Sequence, residues 1–187
     1  MPLGMKLLLF VWSPLSMVPL VLVLAGVHVP QPLSYAWHKA LHVIGAVVFV
    51  GNILTQAVWL SGAQATKSAA AVRGAYAALE TTDRLFMGPG MFLLVANGAL
   101  LAQTWGGIQR WSWMLAALVL FGLFGVVSGP LMWVQIKSLR VLKTTPDEKL
   151  LEAMAVASGK SLPVWLVPML LLPLAIVVLM VVKPRLW

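Results

Sequence analysis

The stretch that decides the fold is residues 34–61, which read SYAWHKALHVIGAVVFVGNILTQAVWLS. Lys39 is its one formally charged residue. An α-helix needs roughly 20 apolar residues to cross a hydrocarbon core of about 30 Å, and this run is longer than that. The stretch therefore predicts a membrane-spanning helix that is tilted or that protrudes from the bilayer.

Four further apolar segments flank this helix. They run over residues 7–27, 85–104, 112–136 and 163–182. The composition agrees, because 61% of the 187 residues are hydrophobic and 10% are charged, whereas soluble domains are about 25% charged. We expect one all-α membrane domain over residues 1–187, a polytopic helix bundle of five transmembrane helices. It consists of a four-helix core at 33–182 and an extra N-terminal span at 7–27, with the lipid bilayer as its partner.

The basic residues indicate the orientation of the helices. With the N-terminus in the cytoplasm, nine Lys and Arg residues lie on that side and four, at positions 39, 110, 183 and 185, lie on the other. Because basic residues concentrate in cytoplasmic loops, we expect a bacterial inner-membrane protein with its C-terminus outside. Lys6 before the first apolar run leaves a secretory signal as an alternative for that segment. The scattered basic residues do not form the stripe typical of nucleic-acid binding, so we expect no nucleic-acid partner.

A polar stripe runs along the helix at 34–61. Its members follow spacings of four and three residues, which place them on one helical face; they are His38, His42, Gly45, Phe49, Asn52 and Gln56. Polar side chains facing lipid are costly, so this face is predicted to be buried. Gly45 would let a neighbouring helix or a flat ligand approach. Asn52 and Gln56 fit hydrogen bonds between helices, or the lining of a path across the membrane.

The two histidines are the candidate ligands of a cofactor. Two imidazoles one turn apart can bind a compact metal such as copper, with His28 as a third ligand. Haem b takes ligands from opposite faces of its ring, so it would use one of these histidines and a second residue at similar depth, His28 or Met114. Hydrogen-bonded packing is the alternative for both histidines. The chain has no Cys, which excludes thiolate metal sites and iron–sulfur clusters.

Other features carry weaker signals. Met87 and Met91 favour core packing over copper ligation. The neighbouring residues Glu80, Asp83 and Arg84 predict a solvated ion cluster at the mouth of a span, or a docking point for the charged groups of a ligand.

A short surface helix is predicted between the last two spans. Thr145 would be its N-cap, Pro146 its first residue and Gly159 its end. The Ala-rich stretch at 69–79 is predicted to extend the helix ends on the same side of the membrane.

Three stretches resemble segments of known membrane proteins. They are residues 35–52, the run LETTDRLFMGPGM at 79–91 and the run GPLMW at 129–133. The resemblance is to copper-resistance D proteins, to the four-helix membrane protoporphyrinogen oxidase type, and to an uncharacterised predicted integral membrane protein family related to both, which fits best. It covers residues 33–182 and implies a four-helix core.

The resemblance also implies roles for individual residues. His42 corresponds to a candidate ligand of haem b and Lys39 to its functional partner. If the protein binds haem b, Lys39 and Arg84 are expected to anchor propionates or substrate charges, and His38 to support His42.

Three functions stay open at this point. The first is haem-based electron transfer or oxidation of a small lipophilic substrate. The second is copper handling. The third is service as an accessory subunit of a larger respiratory or photosynthetic complex, or as a homo-oligomer.

Overall fold

The computed structural model describes residues 3–159 and 162–187, and within these ranges it is almost entirely helical and contains no β-strand. We number six helices. Helix α1 comprises Leu3–Leu7, a π-helical turn at Leu8–Trp12 and Ser13–Leu24; α2 is Tyr35–Ala65; α3 comprises Ala69–Thr82, a π-helical turn at Asp83–Met87 and Gly88–Thr104; α4 is Ser112–Thr144; α5 is Asp147–Ser158; and α6 is Leu162–Val182.

The membrane architecture confirms the predicted fold class. Among the described residues, α2, α3, α4 and the Val164–Val182 part of α6 are long and apolar enough to cross a bilayer, while α1 contributes a shorter apolar helix at Leu8–Leu24. Helix α3 is longer than the predicted 85–104, because the Ala-rich stretch runs directly into it. Pro89 lacks an N–H, and the π-helical turn before it lets Gly88 N–H bond to Asp83 O instead.

The helices form two layers. Helices α1 and α2 both pack on α3, and α4 packs on α6. The layers meet at mid-height, where the Phe49 and Phe124 rings lie edge to face at 5.6 Å. They meet again at one end in a cluster of buried side chains from α3, α4 and α5: Val72, Tyr76, Leu139, Leu142, Leu150 and Met154. We call this the Leu150 end of the bundle, and the opposite end, where α2 begins, the His38 end.

Helices α2 and α3 are in backbone contact. A Cβ at Gly45 would overlap the backbone nitrogen of Leu94 and lie 2.9 Å from Gly90 O, and a Cβ at Gly90 would lie 3.0 Å from Phe49 N. Small residues allow this approach, as they do in other membrane helix pairs. The neighbour expected at Gly45 is therefore the α3 backbone.

Helix α1 is fitted closely against α3. A Cβ at Gly88 would overlap the Trp12 ring. In the loop that follows α1, Val29 is bound to the side chain of Gln103 on α3: Val29 N–H donates to Gln103 Oε1 at 2.9 Å, and Gln103 Nε2 donates to Val29 O at 3.2 Å. Both the helix and the loop that follows it are parts of the packed bundle.

The short helix α5 begins differently from the prediction. Pro146 occupies the N-cap position, and the α5 cap makes no side-chain hydrogen bond. Thr145 instead ends α4, and its carbonyl accepts from Arg73 Nη2 at 2.8 Å, so the predicted Thr145 cap is wrong. The predicted end is confirmed, because Gly159 follows α5 with φ +68°.

Candidate cofactor site between the helix layers

The predicted stripe on α2 faces α3. His38, Gly45, Phe49 and Asn52 are buried, and His42 and Gln56 are half-buried. A 31-residue helix with this one polar face can satisfy those groups only against protein. The prediction that the face is buried is therefore confirmed.

His38 is bound to a side chain of α3. Its Nδ1 lies 2.7 Å from Asn97 Oδ1. Asn97 Nδ2 donates to Leu93 O at 2.9 Å, which fixes the amide so that Oδ1 is the acceptor and His38 Nδ1–H the donor. The ring is 2% exposed, and its Nε2 has no hydrogen-bond partner within the described ranges.

His42 is bound to the backbone of α3, one turn before Asn97 on that helix. Its Nδ1 donates to Leu94 O at 2.7 Å, which leaves the lone pair on Nε2. Gly98 provides the space for this ring, because a Cβ there would lie 2.8 Å from His42 Cε1 and 3.0 Å from Nδ1. Backbone and glycine together determine the orientation of the imidazole.

His42, but not His38, lines a cavity between the two helix layers. The cavity has a volume of about 710 Å³, within the usual range for small-molecule sites. Its wall is largely apolar and includes Phe49, Trp113, Met114, Phe121, Phe124 and Met180. Met114, one of the two candidates for a second haem ligand, therefore lines the same cavity as His42.

Two lysines lie at the mouth of the cavity, at the His38 end. Lys39 and Lys183 both line it. Lys183 Nζ lies 4.3 Å from the centre of the Trp105 ring and 5.7 Å from that of Trp113. The chain has five acidic residues, Glu80, Asp83, Asp147, Glu148 and Glu152. None of them is among the described residues that line the cavity, so Lys39 and Lys183 give this mouth a basic character.

Two candidate residues lie away from the cavity. His28 is exposed in the loop between α1 and α2. Arg84 is exposed beside Asp83, at the level of Gln56, which lies roughly 25 Å along α2 from Lys39. Within residues 3–159 and 162–187, no three His, Asp or Glu residues come together in a group that could hold a metal ion.

The predicted ion cluster at the start of the third span is divided. Glu80 is half-buried and Arg84 exposed, but Asp83 is 8% exposed. Gln56 Nε2 donates to Asp83 Oδ1 at 2.8 Å, and Gln135 Nε2 donates to Oδ2 at 2.9 Å. A solvated cluster is thus wrong for Asp83, because two helices shield its carboxylate from solvent.

A comparison with known families agrees with this architecture. The profile of DUF2269, described as a predicted integral membrane protein family, matches residues 37–184. The chain belongs to this family. The matched range contains His38, His42 and every residue of the cavity lining except Leu20 and Tyr35. Helix α1 lies outside the matched range. No curated protein and no solved structure in the comparison matches the chain.

Proposed function

We propose that this protein binds haem b in the cavity between the helix layers, where His42 would bind its iron, and serves in electron transfer. The observation that carries the proposal is the hydrogen bond from His42 Nδ1–H to Leu94 O at 2.7 Å. Ligating histidines commonly donate their second ring N–H to a backbone carbonyl, which fixes the ring and directs the other nitrogen to the metal. His42 is oriented in this way in a cavity wall.

The donor set and the cavity both fit the group. The space is about 710 Å³ and lined mainly by apolar and aromatic side chains, which suits a flat hydrophobic macrocycle. Gly98 allows the His42 ring to take this position, because a Cβ there would lie 2.8 Å from His42 Cε1. When bound, haem b supplies a one-electron redox centre, and the chain orients it and excludes water.

Met114 is the second ligand in this proposal. It lines the same cavity, from α4, whereas His28 is exposed in a loop and His38 is outside the lining. His38 then acts as a neighbour that fixes α2 against α3 through Asn97. A His/Met ligand pair raises the reduction potential relative to harder ligands.

Lys39 and Lys183 would bind the two propionates at the cavity mouth. Both line the cavity, and the described lining residues include no Asp or Glu. Arg84, which the haem hypothesis assigned to this task together with Lys39, lies at the level of Gln56. We therefore assign its expected role to Lys183.

The membrane setting completes the proposal. The exposed side chains Val43, Val47 and Val181 belong to the cavity lining, so the cavity opens toward the bilayer. A lipophilic electron donor, such as a quinol or a porphyrinogen, would approach from there. The excess of basic residues at the other end supports a bacterial inner-membrane location with Lys39 on the outer side.

Absorption spectroscopy tests this function. The purified full chain, titrated with hemin, should develop a Soret band and a reduced α-band at one equivalent. His42→Ala should lose the band, Gly98→Ala should weaken hemin binding about tenfold, and His28→Ala should bind as the parent does. Equal binding by the parent and His42→Ala, in variants of matched thermal stability, would overturn the proposal. Copper quantitation on the same samples tests the copper alternative, and co-purification of partners at fixed ratio tests the accessory-subunit alternative.

A further inference from the structure

Asp83 is a carboxyl group buried inside a membrane protein, outside the lining of the proposed haem cavity. It is 8% exposed and lies in the π-helical turn of α3, roughly 16 Å along that helix from Leu94, the first residue of α3 that lines the cavity. Exposed tryptophans lie near this level, Trp59 one turn beyond Gln56 on α2 and Trp133 beside Gln135 on α4. Because tryptophans mark membrane interfaces, Asp83 is placed at one boundary of the hydrocarbon layer.

Three helices surround this carboxyl group with neutral side chains. Gln56 of α2 and Gln135 of α4 donate to its two oxygens, and Gln56 also donates to Thr82 Oγ1 at 3.1 Å. Asn52 of α2 lies beside the same group. Its side chain is 7% exposed, and its Nδ2 has no hydrogen-bond partner among the described residues. The cluster therefore holds a spare donor next to the carboxyl group.

No charged residue is paired with Asp83 in the part of the chain that is described. The charged groups on the elements packed around it are Glu80 and Arg84 on α3, Lys6 on α1 and Lys137 on α4, and α2 contributes none nearby. Lys6, Arg84 and Lys137 are exposed, and Lys137 Nζ lies over the Trp133 ring at 5.6 Å. The ion pair formed by the described residues is Arg73–Asp147.

An environment of amides differs chemically from a salt bridge. A lysine or arginine can only donate hydrogen bonds, so it stabilises the ionised carboxylate but not the neutral carboxylic acid. Glutamine and asparagine each carry a donor and an acceptor, so a half-turn of the amide lets them accept from a neutral carboxylic acid. Burial favours the neutral acid and the amide donors favour the ion. This cluster can satisfy both states, and the π-helical turn is a feature often found at functional sites.

We propose that Asp83 is a proton-binding site at one membrane boundary, with Gln56, Gln135 and Asn52 as the groups that stabilise its two protonation states. An ionisable residue within a membrane helix commonly belongs to an ion or proton path. The site takes up one proton, and no other bond changes. It is independent of the haem proposal, because no residue of the cavity lining belongs to it.

Infrared difference spectroscopy of the full chain in lipid nanodiscs tests the site. Acidification should produce the C=O stretching bands of protonated carboxyl groups, and Asp83→Asn should remove the component that Asp83 contributes. Asp83→Glu should restore a band at a shifted frequency, which separates a proton site from a folding defect. Glu80→Gln, which removes the acid one turn away, should leave the Asp83 band in place.

The amide variants test the role of the surrounding groups. Gln56→Leu and Gln135→Leu each remove a donor to the carboxylate, so each should move the pH midpoint of the band upward by about one unit. Gln109→Leu, at the His38 end, should leave the midpoint unchanged. A set of carboxyl bands left unchanged by Asp83→Asn, or midpoints equal to the parent's in both amide variants, would overturn the proposal. A midpoint that responds to NaCl but not to choline chloride would also overturn it, in favour of a cation site.

Discussion

Gly45 lies against the backbone nitrogen of Leu94, the residue whose carbonyl oxygen accepts the hydrogen bond from His42. The same residue of α3 thus sets the spacing of the two helices and the orientation of the candidate ligand. A change in that spacing moves the acceptor away from His42 Nδ1.

Gly45→Ala should therefore damage both the fold and the cofactor site. The added methyl group would meet backbone, which cannot turn aside, so we expect a loss of about 1–3 kcal/mol and a weaker Soret band. Thermal unfolding in detergent and hemin titration measure the two effects. Gly62→Ala on the same helix is the matched control, because a Cβ there meets nothing within 4 Å and should leave stability equal or slightly raised. Parent-like behaviour of Gly45→Ala would show that the helices are less closely held.

Met114→Leu should separate binding of the cofactor from its redox properties. His42 would still hold haem b, so the stoichiometry should stay near one, but loss of the thioether ligand should lower the reduction potential. Redox titration of the reduced α-band measures the change. Met91→Leu alters a methionine that is buried with Phe49 and Phe124; it is the control and should leave the potential unchanged. An unchanged potential in Met114→Leu would exclude Met114 as a ligand.

Asn97→Leu should destabilise the protein through His38. Without Asn97 Oδ1, the buried imidazole loses the acceptor of its Nδ1–H, which costs about 1–3 kcal/mol. His38→Leu should cost a similar amount, and the double variant should cost less than the sum, because the two buried polar groups are removed together. Unfolding measurements on the four proteins form a double-mutant cycle. Strict additivity would mean that the two side chains do not interact.

Arg73→Lys should loosen the end of α4. Arg73 donates to the carbonyls of Leu142 and Thr145 and pairs with Asp147 at 2.8 Å, and a lysine cannot reproduce this fork. Both partners of the ion pair are partly exposed, so the loss should come mainly from the two carbonyls, about 1–2 kcal/mol. Limited proteolysis between α4 and α5 should become faster, whereas Arg140→Lys, at an exposed position on α4, should cleave at the parent's rate. Added salt should not remove the difference in cleavage rate between Arg73→Lys and the parent.

The sequence predicts the helices well, because hydrophobic length is a local property. The stripe on α2 also predicts which face is buried, since its spacing alone decides that. The identity of the groups that meet the stripe was not predictable. Leu94 contributes a backbone carbonyl to His42, and any residue type supplies the same carbonyl.

The electrostatic part of the site was the least predictable. Arg84 follows Asp83 directly in the sequence, yet it is exposed while Asp83 is buried, because the π-helical turn and two glutamines from other helices determine their surroundings. Lys183 was missed as a cavity residue because it lies at the end of α6 and reaches His42's cavity only through tertiary contacts with Trp105 and Trp113. Contacts between segments so distant along the chain leave no local pattern.

The close fit of Trp12 against Gly88 also predicts how the sequence at position 88 varies among relatives of this protein. The range matched by the family begins at residue 37, so α1 lies outside it, while residue 88 lies within it. In relatives that carry a helix equivalent to α1, the position matching Gly88 should be glycine, because a ring at the position of Trp12 leaves no space for a Cβ. In relatives without such a helix the restriction is released, and larger side chains should have accumulated there. The identity of this single position should therefore record which lineages gained or lost the N-terminal helix.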